Sequence, residues 1–128
     1  MLIGSFLKNI KKEFKNHQFA GLSFNSEDCK KDYIFFAIKG TKSDGSKFIN
    51  HAIKKGATVI ISEQKFEGIK NKVLFLRSKN ARKVLSELSY KIKKDIPKNL
   101  IAVTGTNGKS SIVDFYFQLL NLSNKKVA

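Results

Sequence analysis

The chain has 128 residues, of which 41% are hydrophobic and 27% are charged, so it is long enough for a globular domain with a buried core. One Pro and eight Gly argue against a disordered chain, and the single cysteine, Cys29, excludes a disulfide framework. No run approaches the roughly 20 apolar residues of a membrane helix, and the apolar start is too short for a signal peptide. We therefore expect a cytoplasmic protein without a membrane partner.

The net charge of +15 raises the hypothesis of a basic nucleic-acid-binding module. Two features weigh against it. Arg77 and Arg82 are the only arginines, and the lysines are spread along the chain instead of lying on one helix. The alternative is a solvated, lysine-rich surface that attracts anionic ligands at long range. We expect no nucleic-acid partner.

Apolar periodicity divides the chain into alternating strands and helices. It predicts an amphipathic helix over 2–14, strands over 19–24 and 33–38, a loop over 40–45 and a helix over 47–55 that ends at Gly56. It then predicts a strand over 57–61, a polar connection over 63–72, a strand over 73–76, a helix over 80–92 and a strand over 100–103. The order indicates an α/β fold, a mostly parallel sheet flanked by helices. Ligands of such sheets bind beyond the carboxyl ends of the strands, which directs attention to the loops 25–28 and 40–45.

The most specific motif is Gly105-Thr-Asn-Gly-Lys-Ser-Ser111, between the last apolar run and a helical run over 112–122. Strand, glycine loop, Lys-Ser and helix is the layout of a phosphate-binding loop. Its amides and Lys109 would hold nucleotide phosphates, and the Ser110 hydroxyl would ligate Mg²⁺. Val103 departs from the commonest pattern, which has its first glycine there. The alternatives are a plain glycine turn with a solvated Lys109, or another phosphate-loop nucleotide-binding protein.

The position of this loop predicts two domains, 1–97 and 98–128. A phosphate loop normally follows the first strand of its sheet, yet here one helix follows it and no second strand brings a metal-binding acid. We therefore expect 98–128 to be the opening strand, loop and helix of a larger unit, and the chain to be part of a longer protein. A helix without its sheet exposes apolar surface, which predicts self-association of such a fragment.

The loop G-T-N-G-K-S-S resembles the ATP loop of the Mur ligases, the ATP-dependent amide-forming enzymes of peptidoglycan synthesis. The first domain of that family reads roughly D-S-R, then F-x-A, then G-x-x-x-D-G-x-x-[FY]-[IV], then A-[IV]-x-x-G-A. The corresponding residues here are Asn25-Ser26-Glu27, Phe36-Ala37, Gly40 with Asp44-Gly45 and Phe48-Ile49, and Ala52-Ile53 with Gly56-Ala57. The resemblance covers nearly the whole chain in one order, although Glu27 reverses the charge of the usual Arg.

The resemblance implies a UDP-binding first domain and the start of an ATP-binding central domain. It assigns Phe24 and Ser26 to the uracil or ribose, and Thr41, Lys42 and Ser43 to the nucleotide and its diphosphate. It assigns the ATP phosphates to Gly105, Thr106, Asn107, Gly108, Lys109, Ser110 and Ser111. In this assignment Lys109 positions the phosphates and Ser110 ligates Mg²⁺.

The Asn after Gly-Thr favours the family members that add the third residue, a diamino acid, to UDP-MurNAc-L-Ala-D-Glu through an acyl phosphate. The resemblance thus implies ATP and Mg²⁺ as cofactors, the UDP-MurNAc-dipeptide and ATP as partners, and a monomeric parent enzyme. The metal-binding Glu and His, the carbamylated Lys and the third domain of these ligases lie outside the 128 residues. We therefore expect no turnover by this chain alone.

Overall fold

A computed structural model describes residues 1–8, 10–41, 43–93, 99–125 and 127. The chain divides into two compact units, Met1–Lys94 and Asp95–Ala128. The predicted domain boundary at 97/98 lies outside the described residues and stays a prediction. Within the described ranges, no helix has the length and apolar character needed to cross a membrane.

A five-stranded sheet forms the centre of the first unit. Its strands are β1 (Gly21–Ser23), β2 (Tyr33–Ala37), β3 (Ala57–Ser62), β4 (Gly68–Lys70) and β5 (Val73–Arg77). They lie in the order β1-β2-β3-β5-β4, and all neighbours are parallel except β4 and β5. The predicted mostly parallel α/β sheet is therefore confirmed. The predicted polar connection over 63–72 was incomplete, because it contains the antiparallel edge strand β4.

Two apolar layers cover the two faces of the sheet, because successive side chains of a strand point to opposite sides. On β2, Ile34 and Phe36 face one layer, while Phe35 and Ala37 face the other. Helix α2 (Ala81–Ile92) packs on the first layer through the stripe that contains Ala81 and Leu88. Helix α1 (Ile49–Lys54) packs on the second through Ile49 and Ala52. A strand that is apolar on both faces is thus covered on both faces, as its sequence predicted.

The predicted amphipathic helix over 2–14 is wrong. The segment forms two short 3-10 turns, Ile3–Ser5 and Lys12–Phe14, and folds back on itself. The N–H of Ile3 donates to the carbonyl of His17 at 2.9 Å, and that of Gly4 to the carbonyl of Lys15 at 3.0 Å. Ile3 and Phe14 still reach the core, at 0% and 5% exposure. The apolar spacing therefore marked the buried residues correctly, while tertiary packing decided the backbone shape.

The predicted helices over 47–55 and 80–92 are confirmed with adjusted ends. A 3-10 turn, Gly45–Phe48, leads into α1. Helix α2 begins at Ala81 because the side-chain oxygen of Asn80 accepts a hydrogen bond from the Lys83 N–H at 2.9 Å. Such a side chain satisfies one of the amides that a helix N-terminus leaves without a partner.

The second unit contains helix α3 (Lys109–Leu122), as predicted, but the predicted strand over 100–103 is wrong. Leu100 and Ile101 are 81% and 58% exposed, and residues 101–105 form no strand. A β-strand needs a neighbour to pair its backbone, and none lies beside this segment in the described residues. Several apolar side chains of α3 are exposed, including Phe115, Leu119 and Leu122.

Replacing Gly56 by alanine should unfold the first unit more easily. Gly56 closes α1 with φ +111°, and a Cβ there would lie 2.8 Å from Lys31 Cα. We expect Gly56→Ala to lower the free energy of unfolding by about 1–3 kcal/mol in urea denaturation. The matched control is Gly68→Ala, where φ is +152° but the nearest atom, Phe66 Cζ, is 3.5 Å away. If both variants lost the same free energy of unfolding, the contact between the added Cβ and the Lys31 backbone would not be the cause of the loss.

Candidate functional site

The carboxyl ends of β1, β2 and β3 lie at one edge of the sheet, because the three strands are parallel neighbours. Each is followed by a polar segment. The turn Ser26–Asp28 follows β1, the loop 38–45 follows β2, and Ser62 ends β3. The two loops that the sequence singled out therefore belong to one edge, where open α/β sheets bind ligands.

Side chains hold the turn after β1 in place. The Ser23 hydroxyl donates to the carbonyl of Asn25 at 2.7 Å, and the Asn25 side-chain oxygen accepts from the Glu27 N–H at 3.1 Å. The Asn25 amide group also donates to Asp28 Oδ2 at 3.1 Å. Such local bonds are typical of Asx turns. This preformed turn presents Phe24 outward, with 69% of the residue exposed.

Ser26 is the first residue of that turn and is buried, at 6% exposure, and its hydroxyl lies 3.0 Å from His51 Nδ1 on α1. The other ring nitrogen, Nε2, lies 3.8 Å from Glu27 Oε1. Lys55 Nζ lies 3.4 Å from the second oxygen of the same carboxylate. The ammonium of Lys55, the residue that follows α1, thus lies beside the carboxylate of Glu27, whose side chain is 66% exposed.

No sequence motif pointed to His51 or Lys55. Their four-residue spacing places both on one face of α1 and its C-terminal cap, and that spacing is the signal in the sequence that could have identified them. That spacing alone does not tell which turn the face meets.

The loop after β2 is a tight hairpin-like turn. The Gly45 N–H donates to the carbonyl of Ile38 at 3.0 Å, and the Gly40 N–H donates to the carbonyl of Ser43 at 2.9 Å. These bonds leave Thr41 and Ser43 exposed at the tip. Lys42, the third predicted residue of this loop, lies outside the described residues.

Asp44 anchors the base of the same loop. Its carboxylate accepts the Ser46 N–H at 2.9 Å, which caps the turn that leads into α1. Hydrogen bonds from the Ser46 backbone and side chain lower the pKa of Asp44, and Lys39 and Lys47 lower it further. The carboxylate therefore has a structural role in holding the loop.

A cavity of about 230 Å³ opens beside this loop, at the ends of β2 and β3. It is lined by Ala37, Lys39, Asp44, Ser46, Ser62, Glu63 and Gln64. The sequence analysis predicted none of these as ligand contacts. Two carboxylates against one ammonium make the cavity a poor place for a diphosphate, so an anion is better matched by the exposed hydroxyls and amides at the loop tip.

Burial raises the pKa of the Cys29 thiol, which is 4% exposed. Asp28 adds to that rise, and a hydrogen bond with Ser23 opposes it. Cys29 therefore packs as a small side chain of the second apolar layer.

The glycine loop of the second unit is an open turn at the start of a helix. Gly105 and Gly108 have φ +151° and +75°, and α3 begins directly afterwards at Lys109. No side chain caps this helix start, and a Cβ built on Gly108 would meet nothing within 4 Å. The first amides of a helix have no acceptor within the helix. The loop thus combines open space with unsatisfied donors, which fits a phosphate group.

Lys109 folds back over this loop. Its ammonium donates to the carbonyl of Gly105 and to that of Thr106, the latter at 3.2 Å. The cation therefore already lies beside the turn that would surround a phosphate. Thr106, Asn107, Ser110 and Ser111 are all exposed around it.

A Mg²⁺ ion at this loop would take few protein ligands. The described residues contain no group of three or more His, Cys, Asp and Glu side chains that could hold a metal. Ser110 would supply one hydroxyl, with the remaining ligands from phosphate oxygens and water, which is a common arrangement for Mg²⁺.

Comparison with known proteins identifies the family. The family model described as "Mur ligase family, catalytic domain" matches residues 18–93, which are more than half of the chain. This chain belongs to the Mur ligase family. The resemblance inferred from the sequence is therefore confirmed, and the matched residues include the turn after β1, the loop after β2 and helix α2.

Relatives within the Mur ligases are similar over almost the whole chain. A UDP-N-acetylmuramoyl-L-alanyl-D-glutamate--2,6-diaminopimelate ligase of Rickettsia prowazekii is 45% identical over 120 residues, which are 94% of this chain and 25% of that protein. A UDP-N-acetylmuramyl-tripeptide synthetase of Treponema denticola is 38% identical over 118 residues, 89% of this chain and 22% of that protein. The chain thus spans about a quarter of the length of these curated relatives.

Solved Mur ligase structures share the fold. The MurF ligase of Thermotoga maritima, solved in complex with ADP, aligns with a TM-score of 0.61 and 27% identity over 78% of this chain and 23% of that one. A UDP-N-acetylmuramoyl-L-alanyl-D-glutamate--2,6-diaminopimelate ligase aligns with a TM-score of 0.75 over 97% of this chain and 26% of that one. Its 23% identity supports the fold alone.

The loop anchor should make the stability of this Mur ligase unit depend on pH. Because the folded-state pKa of Asp44 is lowered, the carboxylate stabilises the fold above its ordinary value of 3.8. That stabilisation is lost as the pH falls through the lowered pKa. We expect the wild-type chain to be more stable than Asp44→Ala at pH 7, with a smaller difference at pH 3, in urea denaturation.

The control for this prediction is Asp44→Asn, which keeps a capping oxygen but does not titrate. Its advantage over Asp44→Ala should be the same at both pH values. A wild-type advantage that does not shrink between pH 7 and pH 3 would contradict the role of the charged carboxylate.

Proposed function

We propose that this chain is the N-terminal part of an ATP-dependent amide ligase that adds diaminopimelate to UDP-MurNAc-L-Ala-D-Glu through an acyl phosphate. The observation that carries the proposal is the identity of 42–45% over at least 93% of the chain to rickettsial proteins named as diaminopimelate ligases of this substrate. The family membership excludes neither lysine nor another diamino acid, so the named relatives are what favours diaminopimelate.

The UDP part of the substrate would bind at the edge formed by the first unit. Phe24 offers an exposed ring that can stack on a base, and Ser26 follows it two residues later as the first residue of the turn. Thr41, Lys42 and Ser43 would bind the nucleotide and its diphosphate. The exposed hydroxyls of Thr41 and Ser43 support this role, since charged oxygens favour such donors.

The ATP phosphates would bind at the glycine loop of the second unit. The amides of Gly105, Thr106, Asn107, Gly108, Lys109, Ser110 and Ser111 would surround them. Lys109 would turn from the loop carbonyls to the phosphates, and Ser110 would ligate Mg²⁺. When bound, MgATP supplies the phosphoryl group that activates the D-glutamate carboxylate. The contribution of these residues is to position the phosphates and to stabilise negative charge.

We infer that residues 1–97 form a domain that binds the UDP moiety and that residues 98–128 begin the ATP-binding domain. The two compact units support this assignment. The family resemblance assigns no general base to any residue of this chain, so we expect the 128-residue chain to have no ligase turnover. We place the parent enzyme in the cytoplasm, which the free, buried Cys29 supports. We also propose that the parent enzyme is a monomer. The exposed apolar side chains of α3 favour self-association of this chain.

UDP should bind weakly to the chain. We expect calorimetric titration to give a dissociation constant in roughly the millimolar range, and Thr41→Ala combined with Ser43→Ala to weaken binding by about fivefold, because two diphosphate contacts are removed. The control is Thr58→Val, which changes a hydroxyl away from the loops. No heat of binding at millimolar UDP would contradict the assignment of the first unit.

ADP binding should depend on Lys109. We expect Lys109→Ala to weaken binding of MgADP by tenfold or more, since a charge-assisted contact to phosphate is lost. The matched control is Lys125→Ala, an exposed lysine in the same unit beyond α3. Equal weakening by the two variants would indicate general attraction to a basic surface, and that result would contradict a specific phosphate loop. Formation of amide product by the purified chain would contradict the expected lack of turnover.

A further inference from the structure

The contacts of His51 suggest a role beyond joining α1 to the turn after β1. We propose that His51 is a positioning residue that holds the Ser26 hydroxyl as a hydrogen-bond acceptor for the uridine part of the ligand. The proposal rests on the proposed function, because it takes Ser26 to face that ligand. No sequence motif of the family drew attention to position 51.

The proton arrangement follows from the two partners of the imidazole ring. Nε2 lies 3.8 Å from Glu27 Oε1, which is too far for a hydrogen bond, so the carboxylate acts on the ring through its negative charge and favours a proton on the nearer nitrogen. A neutral ring therefore carries its proton on Nε2, which leaves Nδ1 as an acceptor. Ser26 Oγ lies 3.0 Å from Nδ1, so the serine hydroxyl donates its one hydrogen to His51.

Lys55 strengthens this arrangement. Its ammonium lies 3.4 Å from the other oxygen of Glu27, which holds that carboxylate in place beside the ring. Asn25 holds the turn that carries both Ser26 and Glu27, through its bonds to the Glu27 N–H and to Asp28. The tautomer of His51 is thereby set by residues of the turn and of α1 together.

A serine whose hydrogen is committed to His51 can offer only its oxygen lone pairs to a ligand. Uridine carries suitable donors, the N3–H of the uracil ring and the hydroxyls of the ribose. The site would therefore favour a ligand that donates at this point. A serine without His51 could rotate freely and would lose that preference, because its hydroxyl can then act as either donor or acceptor.

The test uses the 128-residue chain with Ser26→Ala, His51→Ala and the double variant, titrated with UDP in a calorimeter. We expect each single change to weaken binding by about fivefold, the effect of one neutral hydrogen bond, and the double change to weaken it no further. His51→Asn, whose side-chain oxygen can accept from Ser26, should recover most of the affinity. The matched control is His17→Ala, the other histidine of the chain, which should bind UDP as the wild type does. Thermal denaturation checks that each variant is folded.

Two nucleotides identify the donor. CDP lacks the N3–H but keeps the ribose hydroxyls, and 2′-deoxy-UDP keeps the N3–H but lacks one hydroxyl. If Ser26 accepts a hydrogen bond from N3–H, CDP should bind the wild type and Ser26→Ala equally. If it accepts from the ribose 2′-hydroxyl, 2′-deoxy-UDP should do so. Equal fivefold losses with both nucleotides would mean that Ser26 contacts a group that both share, such as the O2 carbonyl of the base, and that result would overturn the proposal of an accepting serine.

A spectroscopic measurement tests the tautomer without any ligand. In nitrogen-detected NMR of the histidine rings at pH 8, we expect His51 to carry its proton on Nε2. A proton on Nδ1 would overturn the role proposed for His51, whereas the proposed binding of UDP by the first unit would stand. Wild-type affinity in both single variants, or losses that multiply in the double variant, would overturn it while the proposed function stands. Absence of UDP binding by the wild type would overturn both.

Discussion

The parallel pairing of β2 with β3 is the constraint on which the first unit depends. The two strands lie side by side in the sheet, with Ile34 opposite Val59 and Phe36 opposite Ile61, and all four side chains are 0–1% exposed. Each fully buried side chain of this kind contributes about 1.5–3 kcal/mol. The exposed ion pairs, such as that of Lys83 with Glu87 at 4.0 Å, contribute about 0–1 kcal/mol each. Burial of apolar side chains in the two layers that cover the sheet therefore stabilises the fold far more than the surface ion pairs do.

The same pairing creates the candidate ligand edge. Because β1, β2 and β3 run in one direction, the turn after β1 and the loop after β2 come to the same side of the sheet. Residues distant in sequence then meet, as Ser26 does with His51. Within the loop after β2, an antiparallel backbone bridge joins Lys39 and Asp44. Rigid strands thus carry loops whose hydroxyls and amides are available to a ligand, which is the usual division between scaffold and site.

The high positive charge of the chain lies on its surface. Lysines surround a sheet whose interior is apolar, and several of them lie next to carboxylates, as Lys55 does beside Glu27. A net charge of +15 would attract phosphorylated ligands at a distance, while the named hydroxyls, amides and Lys109 would give the contacts. The Glu27 that replaces the usual Arg of the family is held by α1, so the reversed charge is balanced where it stands.

The sequence by itself determined the α/β class, the positions of four of the five strands, both helices of the first unit and the glycine loop before α3. It did so because the spacing of apolar residues and the glycine that ends the helix over 47–55 are local properties of the chain. Its family resemblance also marked Ser26 and the loop around Thr41. Only the tertiary structure decided that 2–14 folds back instead of forming a helix, that β4 pairs at the edge and that 100–103 has no strand partner in the described residues. It also decided that His51 meets Ser26. Each of these depends on which distant residues come into contact, and spacing along the chain does not contain that information.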